Sequence, residues 1–455
     1  MIAALSRLFR RSAPALDAAG GGRRWRDSGV ISNAATVHAL ASTVAARAQH
    51  YALNNPTGVR MLESLATNVA GDGIKPRSEH EDEATRRMLH RRFKAWTDEA
   101  DADGRTDFYG LQQLAVRDLA TFGEALFLIL GNPETGAPQL RRLHPEQLDR
   151  SRTQSLANGG AIHQGAEFDA SGRIAAYWIR RAAPGDALAG IPLAPVRMPA
   201  GGVIHLFRQL IPGQIRGLSW FAPVLVPARE LDSLTDAMLV RARVAALHAG
   251  FITDPDGTPP YDGEQADATL QAGLEPGALI NLPIGKHIEF PDAPDQGGAG
   301  PLMDTTLRMI AAGMGVTYEQ ATGDYSHTNY SSARAALMEF RRFCQSIQHH
   351  TLVFGLCRPV WRGFVRAQVL TGAIPAARYQ SDRSALEAAK WLPPAWPWVD
   401  PQNDAKAAEI ALANRLRSRS EIIAERGYDA EDVDAEIAAD AARLKTLGVE
   451  QEATQ

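Results

Sequence analysis

The chain has 455 residues, with 48 Lys and Arg against 52 Asp and Glu and a formal net charge of −4. This length allows roughly two to four domains, and a composition of 45% hydrophobic and 22% charged residues excludes a largely disordered chain. A near-neutral charge argues against a protein that grips DNA over its whole surface through phosphate contacts. Its apolar runs are too short for a signal peptide or a membrane span, so synthesis in the cytoplasm is expected.

In the first half of the chain, the sequence predicts helices followed by a β-rich region. Residues 1–30 are rich in Arg, Ala and Gly and are expected to form a flexible arm. Helical spacing over 34–69 is interrupted at Asn54-Asn55-Pro56, which predicts two helices separated by a turn. Turn residues at intervals of about ten predict short strands over 131–210. Further helices are predicted over 81–96 and 108–119, and a buried strand over 124–130.

The second half predicts long helices around a small turn-rich region. A helix over 221–250 would be roughly 45 Å long and would need a neighbour for its apolar stripe. After a helix over 301–314 and a polar loop, a second long helix is predicted from Ser331 towards Val369, with a kink at Pro359. Its expected inner stripe is Ala333, Leu337, Phe340, Cys344, Ile347, Thr351 and Phe354. The remaining segments are predicted as small strands at 279–282 and 287–290, an irregular stretch over 371–403, and two or three helices over 404–447.

No motif for catalysis or for a cofactor is found. Gly285-Lys286-His287, the nearest match to a phosphate-binding loop, lacks the upstream Gly and the Ser or Thr after Lys. Asp324, His327 and Ser331 supply the residue types of a hydrolase triad, but residues so close in sequence rarely reach that geometry. Cys344 and Cys357 are expected to be buried thiols, not zinc ligands. We therefore expect no active site, no cofactor and no metal.

A polar loop that contains two tyrosines, Thr322–Ser332, is the most unusual stretch of the chain. Two interpretations are open: a loop that faces nucleic acid, or a buried, hydrogen-bonded connection between helices. Ser331 or Ser332 is expected to cap the helix that follows.

The helix after this loop carries arginines against a single acidic residue, Glu339. Residues 421–455 contain ten acidic and three basic residues. Pairing of the arginines within the chain or between subunits is therefore favoured over phosphate contacts. The arginines are Arg334, Arg341, Arg342, Arg358, Arg362 and Arg366.

Several passages together, in this order, resemble the lambda-type family of tailed-phage portal proteins. They cover about residues 25–435, and each is weak alone. The passages are Ala45–Pro56, with Asn68-Val-Ala-Gly-Asp-Gly-Ile74; His205–Gly217, which contains Pro-Gly-Gln-Ile-Arg-Gly, with Ala222–Leu225; Ile310–Glu319, Gly323–Ser326 and Asn329–Arg334; and Trp398-Val-Asp-Pro401 with Ser420–Asp429.

The resemblance implies an α+β, mainly helical portal fold with wing, stem, clip and crown regions. Such subunits form a ring, expected to be a dodecamer, at one capsid vertex, through which double-stranded DNA is packaged and ejected without sequence specificity. The implied partners are other copies of the chain, the terminase large subunit, the head–tail connector or adaptor, and the major capsid and scaffold proteins. The implied location is the virion, and the host cytoplasm during assembly.

The order of elements assigns these regions to the chain. After the arm, the expected regions are the wing (31–220), a stem helix (221–250), the clip (251–300), a returning stem helix (301–315), a tunnel loop (316–330), a long kinked helix with the wing return (331–403) and crown-like helices (404–455).

The resemblance also yields candidate residues. The candidates for facing DNA are Asp324, Tyr325, Ser326, His327, Thr328, Asn329 and Tyr330. The candidates for the subunit interface are Gln214, Arg216, Arg334, Arg341 and Arg342. The alternative functions are another head–tail connector or adaptor ring, usually a shorter protein, or a packaging enzyme.

Overall fold

A computed structural model describes most of the chain, in two units. The described residues are 34–186, 194–246, 251–253, 287–289, 299–326, 328–397 and 400–447. One unit comprises residues up to 223 and from 311 onward, and the other comprises 224–310. The predicted arm and the predicted strand at 279–282 lie outside the described residues, as does most of the predicted clip.

The first unit begins with four helices: α1 (Ala34–Asn54), α2 (Pro56–Val69), α3 (Glu83–Thr97) and α4 (Phe108–Phe122). The predicted break between α1 and α2 is confirmed. The Asn55 side chain accepts hydrogen bonds from the backbone N–H groups of Thr57 and Gly58, at 2.9 and 3.1 Å. Pro56 follows in the first turn, where its missing N–H costs nothing.

Nine strands of this unit, predicted as a β-rich region, form antiparallel sheets. A three-stranded sheet has the order β3-β2-β9, and a five-stranded sheet runs in sequence from β4 to β8. The strands are β1 (Lys75–Ser78), β2 (Glu124–Gly131), β3 (Pro138–Leu143), β4 (Gln154–Ser155), β5 (Ala161–His163), β6 (Ala166–Phe168), β7 (Ile174–Ile179), β8 (Val196–Pro199) and β9 (Val203–Phe207).

The second unit consists of two helices and a small antiparallel pair of strands. These are α5 (Leu225–Ala246), β10 (Phe251–Thr253), β11 (His287–Glu289) and α6 (Ala299–Met314), whose last residues belong to the first unit. The prediction that α5 starts at Phe221 is wrong by four residues. Pro223 disfavours helical backbone in the residue before it, so the chain forms a turn there before the helix begins.

The C-terminal part of the first unit is helical with one further strand. The prediction of an irregular stretch over 371–403 is wrong in part, because a helix and a strand that pairs with β1 lie within it. The elements are α7 (Tyr318–Thr322), α8 (Tyr330–Ile347), a π-helix (Gln348–Cys357), α9 (Arg358–Leu370), α10 (Ala376–Glu387), β12 (Ala389–Leu392), α11 (Pro401–Ala413), α12 (Arg419–Glu425) and α13 (Ala430–Thr446).

The π-helix changes the expected geometry of the long C-terminal helix. The backbone N–H of Arg358 bonds the carbonyl of Val353, five residues back, and Pro359 falls in the first turn of α9, where proline is tolerated. Because each π turn takes up an extra residue, the buried stripe shifts after Ile347. Phe354, predicted to point inward, is 68% exposed, and Leu352 and Leu356 are buried instead.

An aromatic cluster anchors the core of the first unit. The ring of Phe93 lies 5.0–5.9 Å, between centroids, from those of Trp96, Phe108, Trp361 and Phe364. These side chains come from α3, α4 and α9, and each contributes about 1.5–3 kcal/mol by leaving water. The cluster therefore joins the N-terminal helices to the C-terminal half of the chain.

Candidate functional site

The predicted tunnel loop, 316–330, contains a short helix, α7, that is capped at both ends. The Thr317 hydroxyl accepts from the backbone N–H of Gln320 at 3.2 Å, and the Gln320 side chain accepts from the backbone N–H of Thr317 at 3.0 Å. Such reciprocal bonds satisfy two donors that a helix start leaves free. Gly323 ends the helix with a φ of 77°, a left-handed conformation that glycine adopts without strain.

The loop tip after α7 is ordered by its own side chains and exposes two aromatic rings. The Asp324 carboxylate accepts from the backbone N–H of Ser326 at 2.9 Å, and the Thr328 hydroxyl donates to Glu319 at 2.9 Å. Tyr325 is 61% exposed and Tyr330 is 55% exposed. The alternative of a buried connection is therefore wrong for this tip. His327 lies outside the described residues.

The helix after the loop, α8, is capped by Asn329. Its side-chain oxygen accepts from the backbone N–H of Ser332 at 2.9 Å, and the Ser332 hydroxyl donates to the Asn329 carbonyl at 3.0 Å. The prediction that Ser331 or Ser332 is the cap is wrong. The cap ties the loop tip directly to the first turn of α8.

The three candidate arginines of α8 have different surroundings. Arg341 is half-buried; it donates to the carbonyl of Pro397 at 2.8 Å and lies 5.2 Å from the ring centroid of Trp396. Arg342 is 71% exposed in its side chain and lies 3.5 Å from Glu339. Arg334 is exposed. Arg341 is thus engaged within the chain, whereas Arg334 and Arg342 extend towards solvent.

The arginines of α9 pair with a single carboxylate on α10. Arg362 and Arg366 lie 3.9 and 3.5 Å from the Glu387 carboxylate. Burial alone would raise the pKa of Glu387, but hydrogen bonds from Tyr379 and Arg383, together with the charges of Arg383 and Arg366, lower it. Within the described chain these arginines therefore do not meet the acidic C-terminal segment, which was one of the predicted pairings.

The acidic C-terminal segment instead pairs with the N-terminal part of the unit. Glu431 lies 2.9 Å from Arg86 and 3.3 Å from Arg77, and Asp429 lies 3.2 Å from Arg77. Asp432 lies 3.2 Å from the ring of His90. Together these contacts fix the start of α13 on α3 and β1.

A buried ion cluster around Glu124 holds the junction of α4, β2 and β9. Glu124 and Arg216 have side chains 1% and 0% exposed. The Glu124 carboxylate also accepts from Arg150 at 3.0 Å, His205 at 2.9 Å and the backbone N–H of Gly217 at 3.0 Å. Burial alone would raise the pKa of Glu124, but Arg216 and His205 hold it well below its usual range.

Arg216 and Gln214 bond groups of their own chain with every contact described. Arg216 donates to the carbonyls of Pro145 at 2.9 Å and Leu148 at 3.3 Å. Gln214, 3% exposed, accepts from the backbone N–H of Leu210 and donates to the carbonyl of Arg216, both at 2.8 Å. The expectation that these two residues lie at a subunit interface is corrected, because both side chains are buried within one chain.

One sequence signal could have located this cluster. Glu124 is a charged residue at the start of an apolar strand run, directly after Gly123, and a carboxylate in such a place needs a cation beside it. Nothing local identifies Arg216 as that cation, because it lies 92 residues away in the chain.

Metal and membrane sites were sought over the same residues. No three His, Cys, Asp or Glu side chains converge there in a way that could hold a metal ion. Among the helices described, none has both the length and the apolar character needed to cross a bilayer.

Comparison with known proteins gives consistent matches. Residues 21–348 match the model of the family described as "Phage portal protein, lambda family". A probable portal protein of Halomonas phage phiHAP-1 is 28% identical over 426 residues, which cover 90% of this chain and 81% of that protein. Portal protein B of Escherichia phage lambda is 25% identical over 329 residues, which cover 65% of this chain and only 60% of the lambda protein.

A solved structure shares the fold. It is the neck of an empty GTA particle computed with C6 symmetry, which matches 82% of this chain and 90% of that chain. The TM-score is 0.51 at 16% sequence identity. This likeness agrees with the predicted α+β, mainly helical class.

Proposed function

Because this chain belongs to the lambda family of phage portal proteins, we propose that it assembles with copies of itself into a closed ring, a dodecamer, at one capsid vertex. Double-stranded DNA passes through the ring into the capsid during packaging and out again during infection. The ring forms in the host cytoplasm, with the scaffold and major capsid proteins, and remains in the virion. The terminase large subunit, and later the head–tail connector, dock on it.

The division of labour follows from the chemistry of the chain. We propose that it has no enzymatic activity and that ATP hydrolysis is supplied by the terminase. A near-neutral chain suits a conduit, since many phosphate contacts would hold DNA tightly and slow its movement. The ring guides the duplex and does not need to recognise its sequence.

The observation that carries the DNA-facing assignment is the exposed tip between α7 and α8. Tyr325 and Tyr330 stand in solvent on a loop braced by the caps at Thr317 and Asn329. Aromatic rings and hydroxyl groups contact nucleic acid without a strong charge. We propose that Asp324–Tyr330 line the narrowest part of the channel.

The exposed arginines of α8 have a different proposed role. Arg334 and Arg342 extend from the same helix that carries the loop. We propose that they bond acidic groups of the next subunit, whereas Arg341 fixes α8 on the chain segment around Trp396. In this arrangement the helix is held by protein contacts and only its loop faces DNA.

Electron microscopy of the purified protein tests the ring, and a packaging assay with purified terminase tests the loop. Tyr325→Ala together with Tyr330→Ala is expected to reduce packaged DNA or its retention while rings still form. Tyr428→Ala is the matched control, because Tyr428 is 64% exposed but lies far along the chain from the loop. Unchanged packaging and retention in the loop variant would contradict the channel assignment, and a monomeric wild-type protein would contradict the ring.

A further inference from the structure

The C-terminal helices expose nearly all of their side chains in the single chain. Over residues 401–447, which comprise α11, α12 and α13, only Ala430 is buried. The three helices have 13, 7 and 17 residues. Helices this short depend on packing against neighbours for their stability. The segment therefore lacks the covering surface that its helices need.

One end of this segment is nevertheless fixed in place. Glu431, at the start of α13, is held by Arg86 at 2.9 Å and by Arg77 at 3.3 Å. Arg77 and Arg86 have side chains only 23% exposed. The root of α13 is thus anchored on β1 and α3, and the remainder of the segment is left open to a partner.

Large apolar side chains lie on the open part. Ile410 is 59% exposed, Leu416 76%, Ile437 55% and Leu447 68%. They come from α11, the turn after it, and α13. Clusters of exposed apolar residues mark surfaces that another protein covers.

The charges of the segment indicate what that protein is. Arg415, Arg417 and Arg419 make the turn before α12 basic, whereas α13 carries the acidic residues Asp432, Asp434, Glu436 and Asp440. Within the chain, Arg419 and Asp434 lie 2.5 Å apart, yet their side chains remain 51% and 57% exposed. A chain with two complementary surfaces can bind a copy of itself head to tail, which is the kind of contact that closes into a ring.

We propose that residues 401–447 of one subunit dock on the same segment of the next, with the basic turn 415–419 against the acidic face of α13. Leu416 and Ile437 are covered in this contact. The proposal rests on the ring proposed above and assigns a particular contact within it. Because its charged groups are solvent-exposed at the rim, the contact is sensitive to salt.

Chemical cross-linking of the full-length protein tests the contact. The double variant Leu416→Cys/Ile437→Cys is treated as the assembled ring with a short bis-maleimide. The native Cys344 and Cys357 are buried, and burial raises the pKa of both thiols, that of Cys344 to about 12, so they stay unreactive. We expect a ladder of covalent species beyond the dimer, weaker in high salt. Each single-cysteine variant, the matched control, should give no such ladder.

The outcomes separate this proposal from the proposed function. Intact rings in electron micrographs without a ladder in the double variant would overturn the head-to-tail contact and leave the portal assignment standing. Cross-linked dimers from a single-cysteine variant would overturn it as well, because they indicate a symmetric contact. A wild-type protein that forms no ring would overturn both. Both substitutions lie at exposed positions, and circular dichroism checks that the fold is intact.

Discussion

The carboxylate of Glu124 and the guanidinium of Arg216 meet inside the fold, where Arg216 Nε lies 2.9 Å from Glu124 Oε2. Glu124 comes from the start of β2 and Arg216 from the segment after β9. Because both side chains are shielded from water, each ion depends on the other for its solvation. The pair therefore fixes the path of the chain from β9 towards α5.

Removal of one partner should be strongly destabilising. We expect Arg216→Met to lower the free energy of unfolding by about 3–5 kcal/mol, because it leaves a buried carboxylate without its main cation. Arg141→Met is the matched control: its pair with Asp103 is about half exposed and should be worth less than about 1 kcal/mol. Urea unfolding at one fixed protein concentration measures both, and equal losses would contradict the role of burial.

The same cluster predicts a dependence of stability on acid. The folded-state pKa of Glu124 is held well below the ordinary value of 4.5. A carboxyl group with a lowered pKa stabilises the fold above its unfolded pKa, and this contribution is lost as the pH falls through the folded pKa. Urea midpoints of the wild type should therefore fall below about pH 4.5. Glu124→Gln should be less stable at neutral pH and show a shallower fall; an unchanged slope would refute this assignment.

His38 predicts a second dependence, nearer neutral pH. Its Nε2 accepts from the backbone N–H of Ile215 at 3.0 Å, which requires a neutral ring. Burial first, and then the charges of Arg216 and Arg150, lower the pKa of His38 from 6.5. Stability should therefore decline as the pH falls below about 6.5. His38→Gln keeps an acceptor that does not titrate, so the slope between pH 5 and 7 should decrease. It should not vanish, because burial also lowers the pKa of His144.

The cap of α8 is testable by hydrogen exchange. Asn329→Ala removes the acceptor for the backbone N–H of Ser332, at an expected cost of about 1 kcal/mol in the local stability of the first turn. Amide exchange over 330–334 should become faster, while exchange in α9 stays as in the wild type. Ser331→Ala is the matched control, at an exposed neighbouring position. Faster exchange in the control alone would mean that Ser331 is the cap.

A close backbone contact near the ion cluster predicts a severe effect of one methyl group. A Cβ added at Gly217 would lie 2.1 Å from the carbonyl oxygen of Gly123, so backbone must move. We expect Gly217→Ala to cost about 1–3 kcal/mol or more. At Gly201 an added Cβ meets nothing within 4 Å, and Gly201→Ala should be close to neutral in thermal unfolding. Similar melting temperatures for the two variants would contradict the contact.

The sequence predicted those elements that have local signals. Asn55 and Pro56 mark the start of α2, and the run after Gly123 marks β2. The helix α10 was missed because it buries a single side chain, Leu386, and so has no apolar stripe. The strand β12 was missed because its partner, β1, lies more than 300 residues earlier in the chain.

The candidate residues show the same limit. The exposure of Tyr325 and Tyr330 agrees with a polar loop, which composition alone indicates. The burial of Arg216 could not be predicted, since arginine is rarely buried unless paired and its partner is distant in sequence. The shifted stripe around Phe354 depends on π-helical hydrogen bonds, and a spacing rule that assumes the α-helical period cannot predict it.

The pairing of β1 with β12 also sets a schedule for the newborn chain. Ser78 pairs with Ala389, so ribosomes must add about 310 more residues before this sheet can close. At roughly 5–20 residues per second, β1 waits on the order of 15–60 s with an unpaired edge. Since α13 is anchored beside β1 and follows β12 in the chain, the C-terminal segment reaches its place last. Premature association of incomplete chains is thereby avoided, because the proposed contact surface is synthesised after everything else has had time to fold.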